Sequence, residues 1–252
     1  MIHDMNDLVN ELTVRPHRVR PRGPHPGAIA IVAFALTVMS IAIPAANGGL
    51  PVSPFDSASS VIDHYLAHGR ATRLNGLFLF LASVPTGIFG AAAVSRIRQD
   101  GIRVPGTAIA YFGAITASIC LATSGFVQWA IGQSATAADT SMIRPLAYLG
   151  FALGGVGYAG GLGLLIAGIA VPMLIVRAAP RWYGAVGMII AVIAELGFLA
   201  LVDKDLAFAL PIARFGGSLW LIGAGFIIAA GRFRRPRTGP AARARHDQAA
   251  TS

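Results

Sequence analysis

The sequence predicts an all-α protein, a polytopic transmembrane helical bundle of six spans with both termini cytoplasmic. Three observations predict it. Hydrophobic residues make up 55% of the 252 residues and charged ones only 12%, with a mean hydropathy of +0.65, whereas a soluble domain carries about 25% charged residues. The apolar excess divides into six runs of membrane length. The basic residues, finally, fall in short blocks between those runs, on alternate connections.

Residues 1–27 are polar, with prolines at 16, 21, 24 and 26 and four arginines between 15 and 22, and read as a disordered basic cytoplasmic tail. The first span covers about 28–46. A cleaved signal peptide is the rival reading, but the apolar run is longer than the roughly 7–15 residues of a signal core. An extracytoplasmic segment follows over 47–73, in which Asp56 or Ser57 can cap a short helix with Val61, Tyr65 and Leu66 on one side, suited to lying at a membrane surface. The second span, about 74–94, contains Pro85, tolerated in a membrane helix where neighbours satisfy the freed backbone. The third, about 107–131, places Gly113, Ala117, Ser124 and Gln128 near one face.

The fourth span, about 145–176, contains the run LGFALGGVGYAGGLGLLIAGIAV. At 100° per residue, Gly150, Gly154, Gly157, Gly161 and Gly168 fall within about 60° of one another and form a helix-packing seam. A discontinuous helix of the transporter kind is the other membrane reading. Gly155, Gly157 and Gly160 match GxGxxG, but a dinucleotide site needs these glycines after a strand, with free backbone donors. Arg177, Pro180 and Arg181 turn the chain into the fifth span, about 182–202, and the sixth covers about 210–230. Residues 232–252 read as a second disordered basic cytoplasmic tail.

The formal charge of +9 tests the topology. With the N-terminus inside, the cytoplasmic side holds Arg15, Arg18, Arg20, Arg22, Arg96, Arg98, Arg103, Arg177, Arg181 and six arginines between 232 and 245. The opposite side holds Arg70, Arg73, Arg144, Lys204 and Arg214. This asymmetry sets the orientation and assigns the charge to topology, so the expected partner is the lipid bilayer and not nucleic acid. A homo-oligomer or a second membrane protein stays open as a further partner.

No cofactor and no metal are expected. His64 and His68 are four apart beside Asp63, compatible with a metal but lacking a third ligand fixed by spacing. All six histidines lie outside the spans, which leaves Ser124 and Ser218 without a base and argues against an enzyme. Cys120 is the single cysteine. The sharpest residue is Glu195, a carboxyl inside an apolar span, which must be protonated, paired or facing water. Its expected neighbours form an intramembrane polar cluster: Arg214 on the next span at similar depth, with Arg73 and Asn75 as alternatives. A structural ion pair, a proton- or solute-handling site and a carboxyl reaching the interface are the three readings of Glu195. They lead to two functions, small-solute or proton permeation and a non-catalytic sensor or assembly component.

The segments LFLFLASVPTGIFGAAAVSRIR, RPLAYLGFALGGVGYAGGLGLLIAGIAVP, PRWYGAVGMIIAVIAELGFLAL and LPIARFGGSLWLIGAGF together resemble an uncharacterised family of six-span bacterial membrane proteins, a domain of unknown function. The resemblance covers most of 28–231 and includes a PxxRFGG motif formed by Pro211, Arg214, Phe215, Gly216 and Gly217. It implies the six-span plan and a multi-pass address in the bacterial inner membrane, and it carries no catalytic residue.

Overall fold

A computed structural model describes residues 23–49, 52–137 and 139–233. Of the tails expected over 1–27 and 232–252, residues 1–22 and 234–252 lie outside the described residues, while Pro26 and Gly27 already belong to the first helix. The described chain is helical, with no strand among the described residues. Six helices are long and apolar enough to cross a membrane: α1 (Pro26–Ala46), α3 (Gly69–Gln99), α4 (Pro105–Thr136), α5 (Ile143–Val176), α6 (Arg181–Leu201) and α7 (Lys204–Ala229). A seventh, α2 (Ala58–Ala67), is short.

Most of the six exceed the apolar runs that announce them. Helix α5, at 34 residues, spans about 50 Å at 1.5 Å per residue, against a hydrocarbon core of about 30 Å. The extra turns are polar helix ends that hydropathy alone assigns to connections. Residues 69–73, read as part of an external segment, are thus the first turns of α3. Helix α2 starts where Ser57 Oγ accepts from the Ser60 N–H at 3.3 Å, an N-cap. Val61 and Tyr65 are buried, while Leu66 turns outward. At the other end of the bundle Arg177 closes α5 in the left-handed region, with φ of 54°, and lets the chain double back into α6.

The helices close a ring in which α1 packs on α3, α3 on α4, α4 on α5, α5 on α6 and α7 on α1, with α7 also touching α5 and α6. Helix α5 is the central span: 61% of its apolar window is buried, against 22% for α1. Its Leu162, Leu165, Ile166, Ile169 and Met173 are fully buried and join Phe89, Ile97 and Leu121 in one core. Lipid is as apolar as these side chains, so close packing and not water exclusion holds the ring together.

Glycine governs that packing. Every one of Gly150, Gly154, Gly157, Gly161 and Gly168 faces α4: a Cβ on Gly150 would lie 3.1 Å from Gln128 Nε2, one on Gly157 2.8 Å from Cys120 Sγ, and one on Gly161 2.8 Å from Ala117 Cα. A second seam joins α3 to α4. Gly69, Gly76, Ser83 and Gly90 recur every seven residues along α3 and meet Gly132, Gly125, Ser118 and Ala114 of α4. A Cβ on Gly125 would lie 2.7 Å from Gly76 O, so the two backbones touch. The spacing of seven keeps both contacts in line when helices cross at a shallow left-handed angle. Pro85 sits inside α3, and beside it Ser118 Oγ of α4 donates to Ser83 O at 2.7 Å, a neighbour's hydroxyl serving the backbone near the proline.

Candidate functional site

The run that carries the α5 seam does not continue as a regular α-helix. Ala152–Gly157 forms a π-helical turn, and α7 contains a second over Ile212–Gly216. A π turn holds one extra residue and leaves backbone carbonyls open to other donors. The two turns face each other: Arg214, in the second, donates from Nη2 to Gly154 O, in the first. Its guanidinium also lies over the Tyr158 ring, 5.1 Å from the centroid. Tyr158 in turn lies beside Ser218 in the wall of a small void, and Ser218 Oγ donates to Arg214 O at 2.6 Å.

Arg214 lines a cavity of about 470 Å³ at the α2 end of the bundle. Asn75 of α3, Ser124 and Gln128 of α4 and Tyr65 of α2 line it too, amid apolar side chains that include Ile41, Leu79, Phe151, Leu210 and Phe215. Asn75 Nδ2 donates to Ser40 O at 2.7 Å and Ser124 Oγ to Gly150 O at 3.2 Å, which ties the cavity's walls to α1 and α5. Gln128 neighbours the Tyr65 phenol in this lining, and burial raises the phenol's pKa despite that polar neighbour. Further into the bundle, a void of about 20 Å³ is lined by Tyr158, Ser218, Thr37 and Thr86, room for about one water. Phe89, Leu162, Leu165 and Leu221 also line it.

The expected polar cluster is therefore divided. Arg214 and Asn75 do share the cavity. Arg73 does not line it; its Nη1 donates to Thr136 Oγ1 at 2.8 Å, and its stem covers Gly132 at the end of α4. Glu195 is also elsewhere. It packs on α5 at Gly163, where a Cβ would lie 2.8 Å from Glu195 Oε1, and near Gly160, at 4.0 Å from Oε2. Its Oε1 is buried without a hydrogen-bond partner, and among the described residues no ion pair joins it to Arg214.

The physical reason is rotational. Tyr158, which meets Arg214, and Gly163, which meets Glu195, are five residues apart on α5, about 140° around the helix. Equal residue counts from the α6–α7 connection suggest equal depth, but that connection contains 3₁₀ turns over Gly197–Leu201 and Lys204–Phe208, followed by the π turn. These change both rise and direction, and bring Arg214 to the level of Gly154 while Glu195 lies beside Gly160 and Gly163.

Ser124 and Gln128 were legible as one polar face of α4, but nothing in the sequence joins them to Arg214. Tyr65 was expected on a surface helix and also lines the cavity. His64 and His68 meet at the α2–α3 junction, with ring centroids 4.7 Å apart and planes tilted by 33°. Among the described residues no group of three histidine, cysteine or carboxylate side chains is placed to hold a metal. No family model, no curated protein and no solved structure matches this chain.

Proposed function

We propose that this integral membrane protein, placed in the bacterial inner membrane with both termini cytoplasmic, admits a small polar solute to its outer half and passes it across the bundle. One observation carries the reading: a cavity with a guanidinium, two carboxamides and three hydroxyls, lined by parts of both π turns. Polar groups inside a membrane bundle are expensive and mark solute paths more often than scaffolding. The polar file from Arg214 through Tyr158 and Ser218 to Thr37 and Thr86 points along the bundle and ends among apolar side chains, as an occluded path does. The arginine asymmetry supports the orientation, which makes the cavity external.

The test is reconstitution in proteoliposomes, with light-scattering swelling across a panel of small polar solutes and an enclosed pH dye for protons. Arg214→Gln is expected to reduce solute entry with thermal stability retained, and Glu195→Gln to reduce proton entry if that carboxyl carries one. Absence of any flux above protein-free vesicles rejects transport.

A second reading has its own support. The bond from Arg214 to Gly154 O satisfies a carbonyl of the π turn, which suits a structural residue in a non-catalytic sensor or assembly component. Equal loss of folding and flux in Arg214→Gln favours it. Orientation is tested separately in a Cys120→Ala background: Ser53→Cys is expected to react with an impermeant maleimide from outside, and Arg103→Cys only after lysis.

A further inference from the structure

We infer that the cavity's ligand is an oxyanion on a compact apolar body, with Arg214 as its counter-charge; the inference rests on the reading of this cavity as a solute site. Among the described residues, Arg214 is the only charged one in the lining, and no aspartate or glutamate faces it there. Among the described residues no carboxylate pairs with it. A guanidinium has five N–H donors. One bonds Gly154 O, and the Tyr158 ring receives the cation's face, which leaves edge donors without a protein acceptor. In a low-dielectric bundle an uncompensated cation is costly, and an anion entering with it removes that cost.

The rest of the lining narrows the class. Gln128 and Asn75 supply carboxamides beside the cation, while Ile41, Leu79, Phe151 and Phe215 supply apolar walls. A bare inorganic ion would leave those walls unused, and a neutral polyol would leave the charge unanswered. About 470 Å³ falls within the roughly 300–1,000 Å³ of small-molecule sites. A carboxylate on a ring or short chain fits each part: its two oxygens meet the planar fork of the arginine, a bidentate geometry, and its body meets the aliphatic and aromatic walls. The same oxyanion chemistry has two sources, a dissolved organic acid or the headgroup of an anionic lipid.

The experiment uses the full chain purified in a neutral detergent. Thermal unfolding and equilibrium dialysis are run with benzoate against benzamide, and with phosphatidylglycerol against phosphatidylcholine in mixed micelles. The expected result is that benzoate binds at least about tenfold more tightly than benzamide, and that Arg214→Gln removes the difference. Preference for phosphatidylglycerol with none for benzoate supports the same oxyanion site and assigns its source to lipid. Equal behaviour of each anion and its neutral counterpart in the unsubstituted protein overturns the inference, whether or not Arg214→Gln folds, and so does a preference unchanged in a folded Arg214→Gln. Anion binding without flux rejects the transport reading and leaves this inference standing; flux without anion preference does the reverse.

Discussion

Gly161→Ala, compared with Gly160→Ala one residue away, isolates what the α4–α5 seam contributes. A Cβ on Gly161 would lie 2.8 Å from Ala117 Cα and 3.0 Å from Gly113 O, both backbone atoms, whereas ordinary van der Waals contact begins near 3.4 Å. Neither atom can rotate away, so the helices must part by at least about 0.6 Å over this turn, and the contacts on either side loosen with them. A Cβ on Gly160 would meet only Glu195 Oε2, at 4.0 Å. Both substitutions gain the same helix propensity, up to about 1 kcal/mol, and that gain cancels in the comparison. Overpacking costs about 1–3 kcal/mol, so Gly161→Ala should be less stable than Gly160→Ala by about that amount. Reversible unfolding by sodium dodecyl sulfate in mixed micelles, followed by circular dichroism, measures the difference. Two variants agreeing within about 0.5 kcal/mol would refute the claim that backbone contact, and not general apolarity, holds this interface.

Tyr183 Oη donates to Trp220 O at 2.6 Å while Trp220 Nε1 donates to Tyr183 O at 2.9 Å, so Tyr183→Phe should cost about 1 kcal/mol in the same unfolding assay. Glu195 Oε1 lacks a partner, so Glu195→Gln, which removes the capacity to ionise, should leave stability unchanged or raise it; a large loss in the unfolding assay would contradict the geometry. At the α2–α3 junction, burial first and the neighbouring His68 second hold the His64 imidazole below its ordinary pKa. Its folded form thus favours the neutral ring, and the stability it contributes is present above the ordinary imidazole pKa and lost as pH falls through the lowered folded value. Proteolysis near α2 should accordingly be faster at about pH 5 than at about pH 7.5, and His64→Asn should flatten the difference.

The spans were legible because a bilayer imposes length and apolarity on any helix that crosses it, whatever surrounds that helix. The glycine face of α5 was legible because its period is a property of one helix. The α3 seam has an equally regular spacing of seven, but Gly69 lies ahead of the apolar run that begins at Leu74, so a hydropathy boundary cut through the pattern. Pairing of Glu195 with Arg214 failed because counting residues from a shared connection assumes one rise and one twist throughout. Two π turns and two 3₁₀ turns break that assumption where the polar residues are densest. The cavity was illegible for a simpler reason: Tyr65, Asn75, Gln128 and Arg214 come from four different helices, and only their convergence makes a site.

Helix α4 is bounded by glycine seams on both edges, and its two partners are its immediate neighbours in the sequence. In a chain inserted from the N-terminus, α3, α4 and α5 emerge consecutively, and their backbones can lock as a slab before α6 and α7 exist. Helix α1 can dock on α3 early, but it waits longest for its second partner, because the Gly225 turn of α7 that packs on Pro26 and Gly27 is synthesised last. The order of chain growth thus separates a part that can assemble during synthesis from a closure that must follow it. Truncation after α5 should leave α3, α4 and α5 locked and protease-resistant, whereas truncation before it leaves α4 with one edge bare.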